Sequence, residues 1–202
     1  RPWRATRDRL GRAFDALEGE SAAERVESFR SSMPLGSRAA SGNTLIFKAS
    51  VPPEALELPR LYWRARVYDH YENGGWSESP FTTGNFSPAG QNLPIPDLAG
   101  RAEYEFTITS YSQGQAVLNL PAQPLWVSRP ADVISFPIAD GEQDVLFLQT
   151  FPFLEPGETY RVRSAMTNPS NLELRAAGTD YPACVKARYL QLPENFSQRV
   201  RN

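Results

Sequence analysis

The chain has 202 residues with 21 basic and 23 acidic side chains, a formal net charge of −2 and a pI near 5.6. That balance offers no basic stripe to neutralise phosphates, so no nucleic-acid partner is expected. Mean hydropathy is −0.45 and no apolar run approaches the length of a membrane span, while one cysteine and one histidine can form neither an internal disulfide nor a closed zinc site.

Residues 1–17 read as an amphipathic helix, with Trp3, Leu10, Phe14 and Leu17 near one face and Arg1, Arg4, Arg7, Arg9 and Arg12 around the rest. The start, Arg1-Pro2-Trp3-Arg4, lacks the basic-then-apolar order of a signal peptide. Glu18–Ala23 read as a loop, Glu24–Phe29 as one further helical turn, and Met33–Gly42 as punctuation without periodicity. From Thr44 the period changes to two, and a strand runs to Ser50 before Pro52-Pro53 ends it.

The strongest alternation lies in Arg60–Tyr71. Leu61, Trp63, Ala65 and Val67 point one way, and Tyr62, Arg64, Arg66, Tyr68 and His70 the other, which predicts one face on a core and one toward solvent. Asn73-Gly74-Gly75 supplies the positive-φ residues of a tight hairpin, and Trp76 opens the return strand. Residues 79–100, rich in Pro, Gly, Asn and Ser, read as a long surface loop. Short strands follow at 103–111, 115–120, 124–128, 131–136, 144–150 and 158–166, with turns at Asp140-Gly141 and Pro156-Gly157. The last strand sets Tyr160, Val162, Ser164 and Met166 against Arg161 and Arg163. Helical patterning resumes at Asn171–Ala177 and Pro182–Leu190, and Ser197 looks like the N-cap of a helix that the sequence leaves unfinished, as at a domain boundary. The fold class is mainly β: an antiparallel β-sandwich or open barrel, with a short N-terminal helix and C-terminal helical turns.

Three stretches together resemble a known family: Leu61-Tyr62-Trp63-Arg64-Ala65-Arg66-Val67-Tyr68-Asp69 with Tyr71 and Gly75-Trp76; Tyr160-Arg161-Val162-Arg163-Ser164; and Leu174-Arg175, Tyr181-Pro182 and Tyr189-Leu190-Gln191-Leu192-Pro193. In this order and spacing they resemble the extracytoplasmic β-rich region of bacterial membrane-anchored transglutaminase-like proteins. The resemblance covers roughly residues 30–202. It implies a juxtamembrane helix and linker at 1–42, a β-rich domain at 43–168 and a helical exit segment at 169–202 leading to a transglutaminase-like core. The core's cysteine, histidine and aspartate would lie beyond Asn202. No cofactor is implied. The implied partners are that downstream core, an extracytoplasmic protein or peptide substrate, and a membrane reached through flanking helices outside these residues. The arginine-rich start points the other way, since positive charge beside a membrane helix usually marks the cytoplasmic side.

No catalytic residue is expected within the chain itself. Cys184 lies in the progression Ala183, Cys184, Ala187, which suits a small core thiol better than a nucleophile. His70 precedes it, the reverse of the family order, and fits an exposed strand position. Asp132, Asp140, Glu142 and Asp144 lack the spacing of a calcium loop and read as a solvated turn. The most informative cluster is Tyr62, Arg64, Arg66, Tyr68 and Trp76, a candidate ligand or interdomain surface in which aromatic faces and guanidinium groups stand together. Two functions follow: a non-catalytic accessory domain that spaces or supports the downstream core, or an independent β-sandwich module that binds cell-wall glycan or a partner protein.

Overall fold

The computed structural model of the chain describes residues 32–34, 43–58, 60–90, 92–96, 100–138, 141–193 and Arg199. The expected helices at 1–17 and 24–29, the loop at 18–23 and the capped helix after Ser197 lie outside the described residues.

Two four-stranded antiparallel sheets form the body. The first contains β2 (Phe47–Ser50), β7 (Ala102–Ser110), β10 (Gln123–Val127) and β13 (Thr159–Met166), in the order β10-β13-β7-β2. The second contains β6 (Thr82–Phe86), β8 (Gln115–Val117), β11 (Ala131–Pro137) and β12 (Gln143–Leu154), in the order β6-β11-β12-β8. Neither sheet closes on itself, and residues of both share one core cluster, in keeping with the expected mainly β, antiparallel class. A hairpin of β4 (His70–Glu72) and β5 (Gly75–Ser77) takes β1 (Ser32–Pro34) on its other edge, and β3 (Trp63–Arg64) pairs with β9 (Leu120–Pro121).

Period-two patterning builds the core as the sequence implies. On β13, Tyr160, Val162, Ser164 and Met166 are buried while Arg161 stays out. Ile108, Val127, Tyr160 and Val162 of the first sheet meet Val133, Val145, Leu148 and Leu154 of the second in one cluster. Further along the first sheet, Phe106 and Met166 pack with Ala55 of a 3-10 turn at Pro53–Glu57. Trp63 touches both clusters, with Phe47 and Phe106 each edge-on at 5.6 Å. The far face of the first sheet is wet and carries exposed ion pairs such as Arg161–Glu105 at 3.0 Å.

The hairpin turn forms where Asn73-Gly74 requires it, with φ of 50° and 77°. Pro156-Gly157 likewise turns through a Gly157 φ of 92°. Three readings need correction. Residues 79–100 contain β6, an edge strand on β11 in which only Phe86 is buried, and the buried Leu93 follows it. An edge strand with one buried side chain shows no alternation for a sequence to reveal. The pattern at Arg60–Tyr71 forms no single strand: two residues pair with β9, and the chain then leaves the ladder until His70. Third, Ser32–Pro34 is a strand, held by β5 through a Met33–Trp76 register and not by any periodicity of its own.

The exit segment holds α1 (Asn171–Ala176) and α2 (Ala183–Tyr189). Ser170 and Glu173 form a capping box on α1, and Pro182 serves α2 as its N-cap, one position ahead of the expected N1. No helix among the described residues is long and apolar enough to cross a membrane.

Candidate functional site

The second sheet buries both faces. Val133 and Leu148 point into the sandwich, while Ile134 and Phe147, paired across β11 and β12, occupy the other face and are buried as well. Phe136 and Asp144, also paired, continue that outer face. Beside Phe81, edge-on to Phe147 at 6.3 Å, what covers it is a layer of charge.

Arg66, after β3, stacks its guanidinium 3.9 Å from the Phe147 ring centroid, and its Nη1 donates to Glu78 Oε1 at 2.5 Å. Arg188 of α2 stacks in the same way on Phe136, also at 3.9 Å. A guanidinium is flat and weakly hydrated, so it can seal an aromatic face as an apolar side chain would. Asp69 lies between the two arginine sites with only 1% of its surface exposed. Its Oδ1 accepts the Ser79 N–H at 2.7 Å, and its Oδ2 lies 2.6 Å from Arg188 Nε. Gln191 Nε2 donates to the Asp69 carbonyl at 2.8 Å, and the Tyr189 hydroxyl donates to Asp144 Oδ2. Arg64 sits nearby; burial lowers its proton affinity, while Asp144 attracts its charge.

The shifts on the remaining groups follow from the same dryness. Burial pushes the Glu78 carboxyl up against the pull of Arg66. Burial first, then the Asp144 carboxylate, raise the Tyr189 phenol. Arg66 balances Glu78 and Arg188 balances Asp69 with little of any of the four side chains in water, and Arg64 is drawn to the half-buried Asp144. The arrangement holds no activated nucleophile. It is a latch that ties the exit segment to the strand region 64–79 and to the outer face of the second sheet.

The sequence candidates divide on this map. Arg64 and Arg66 belong to the latch. Tyr62 is 64% exposed and accepts from Arg60 Nη1 at 3.2 Å, Trp76 packs on Tyr71 at 5.2 Å in the hairpin, and Tyr68 is half-buried with its phenol raised by that burial. Sequence reasoning missed Asp69, Glu78, Asp144, Arg188, Tyr189 and Gln191 as partners. The one signal for them was the run Tyr189-Leu190-Gln191-Leu192, in which polar side chains turn inward and leucines outward.

Cys184 is half-buried on α2 and not a core thiol, because Ala183 and Ala187 beside it are exposed. His70 stands half-exposed on β4, 3.6 Å from Glu72 Oε2. Asp132 is bonded by Asn85 Nδ2 at 2.8 Å, and Asp144 is engaged by Tyr189, so these two are not simply a solvated turn. Among the described residues no group of three His, Cys, Asp or Glu side chains could hold a metal ion.

Comparison with known proteins gives this architecture its relatives. The TgpA N-terminal domain family matches residues 9–171. The chain belongs to that family. The crystal structure of the periplasmic domain of TgpA from Pseudomonas aeruginosa superposes with a TM-score of 0.50 at 18% identity, over 85% of this chain and 52% of that one. The chain thus spans about half the length of that TgpA domain. No curated protein matches the sequence. Membership in the TgpA N-terminal domain family agrees with the resemblance to transglutaminase-like proteins carried by the tyrosine-tryptophan strand and the Tyr189–Pro193 run.

Proposed function

We propose that this chain is a non-catalytic, extracytoplasmic accessory domain of a membrane-anchored transglutaminase-like protein, and that it spaces or supports a downstream core carrying cysteine acyltransferase or protease-like chemistry. The observation that carries this reading is the latch. A spacer passes on position only if its exit is held, and here the exit is held by Arg188 on Asp69 and by Tyr189 on Asp144. Family membership supports the assignment, because the match is to an N-terminal domain of TgpA. Extracytoplasmic placement draws on the periplasmic origin of the structural relative. The one cysteine and the one histidine stand on different elements, α2 and β4, with the histidine beside Glu72, which favours chemistry located elsewhere.

The test is an amine-incorporation and peptidase assay on a casein-type substrate. It compares this chain, the polypeptide extended through the next folded unit, and the extended form carrying Cys184→Ser. The expected result is activity in both extended forms and none in the chain alone. Activity in the chain alone, or its loss from the extended form with Cys184→Ser, would overturn the reading.

A second reading, a binding module for cell-wall glycan or a partner protein, rests on an open cleft of 540 Å³ lined by His70, Tyr71, Glu72, Asn73 and residues 191–193. Saturable heat on titrating muropeptide fragments into the chain would favour it, and loss of that heat in Tyr71→Ala would place the ligand in the cleft.

A further inference from the structure

Every residue from Thr167 to Ala183 is exposed, yet the segment contains a helix, α1. The Glu173 N–H donates to Ser170 Oγ at 3.2 Å and the Ser170 N–H donates to the Glu173 carboxylate at 2.7 Å, so α1 is started by its own sequence. Six residues of helix are too few to be stable in water through backbone bonds alone. An ordinary short helix adds the missing stability by burying an apolar stripe. This one buries nothing: Leu172 is 78% exposed and Leu174 58%.

The pattern continues through α2. Among the described residues beyond Met166, the buried side chain is an arginine, Arg188, while Tyr181, Leu190 and Leu192 are 46%, 53% and 49% exposed. The exit segment is therefore held by polar side chains: Arg188, Tyr189 and Gln191 face the domain, while its large apolar groups stand out in water beside the equally exposed Asp180 and Lys186. Single exposed leucines are ordinary on a protein surface. Among the described residues, five of the fourteen large exposed apolar side chains fall between Leu172 and Leu192, on a segment anchored by charge, and are not scattered in that way.

We propose that Leu172, Leu174, Tyr181, Leu190 and Leu192 form the seat for the domain that follows the N-terminal domain in the same polypeptide, and that the latch sets the angle of that seat. The occupant is indicated by where the family match stops. It ends at residue 171, one position before the first exposed leucine, and the solved TgpA domain is about twice the length of what this chain matches. The surface that opens at Leu172 thus begins where the N-terminal domain gives way to the remainder of a longer chain. This inference rests on the accessory-domain reading for its partner, but not on that partner's chemistry.

The test is hydrogen exchange by mass spectrometry on the 202-residue chain and on the extended polypeptide of the assay above. Peptides covering residues 167–193 are expected to exchange about tenfold more slowly in the extended form, since local opening there is suppressed by packing. The double variant Leu172→Asp with Leu174→Asp should restore fast exchange in the extended form and raise its radius of gyration in solution scattering. The same variant should leave the melting temperature of the 202-residue chain unchanged, because both side chains are already in water. Equal exchange in the two forms overturns the proposal. So does protection in the 202-residue chain that grows with its own concentration, which points to a second copy, or protection that appears only with anionic vesicles. None of these readouts uses activity, so an inactive extended polypeptide with a protected exit segment removes the catalytic reading and leaves the docking seat standing.

Discussion

The two faces of the second sheet are closed by different chemistry. Toward the sandwich, Val133, Val145 and Leu148 meet hydrocarbon from the first sheet. On the outer face, Phe136 and Phe147 meet guanidinium planes at 3.9 Å, and those planes are neutralised by Asp69 and Glu78. Apolar burial is non-directional, so the inner face supplies stability and tolerates volume-conserving exchange. Buried ion pairs roughly break even against apolar isosteres, yet losing one partner strands a charge. The outer face therefore contributes position more than stability: it dictates where α2 sits.

The comparison breaks most readily on its inner side. Leu148→Ala should lower stability by about 4 kcal/mol, a full core truncation with a cavity left behind, read as a fall in the urea midpoint at constant slope. On the outer side, Arg188→Met should lower stability by about 3 kcal/mol, because Asp69 stays buried without its countercharge. Adding Asp69→Asn should return at least about 1 kcal/mol of that loss, measured as the coupling in a double-mutant cycle. Absence of coupling would mean the pair does not act as a unit.

Alkaline pH tests both faces together. Burial raises the phenols of Tyr160, in the inner core, and Tyr189, in the latch, above the ordinary value of 10.0. A phenol whose folded pKa exceeds its unfolded one keeps its proton longer in the native state. Its contribution is full below the unfolded value and is lost as pH rises from there toward the folded pKa. Melting temperature should thus fall steeply above about pH 10, and Tyr160→Phe should flatten that fall even though it removes the hydrogen bond to the Asn119 carbonyl. The smallest effect belongs to the wet face of the first sheet. Arg161→Ala breaks an exposed pair with Glu105 and should change stability by no more than about 0.5 kcal/mol in the same urea series.

Much of the sandwich was legible in the sequence, because a strand with one wet face writes its geometry as alternation. β13 is the clearest instance: each expected inward residue is buried. The hairpin at Asn73-Gly74 was equally legible, since few residues accept positive φ. β6 was not, for it pairs through backbone groups and buries only Phe86.

Local chemistry thus determined the mainly β class and the turns at Asn73-Gly74 and Pro156-Gly157. Alternation divides a segment into two faces but does not say which of them is wet. Trp63 packs on the core as read, yet the space that Arg64 and Arg66 enter is filled by Phe147, Glu78 and Asp144. Only the tertiary structure decided that, by bringing Arg188 to Asp69 across more than a hundred residues of chain. Pairings at that separation leave no local pattern, because each partner taken alone is simply a polar residue on an otherwise ordinary element.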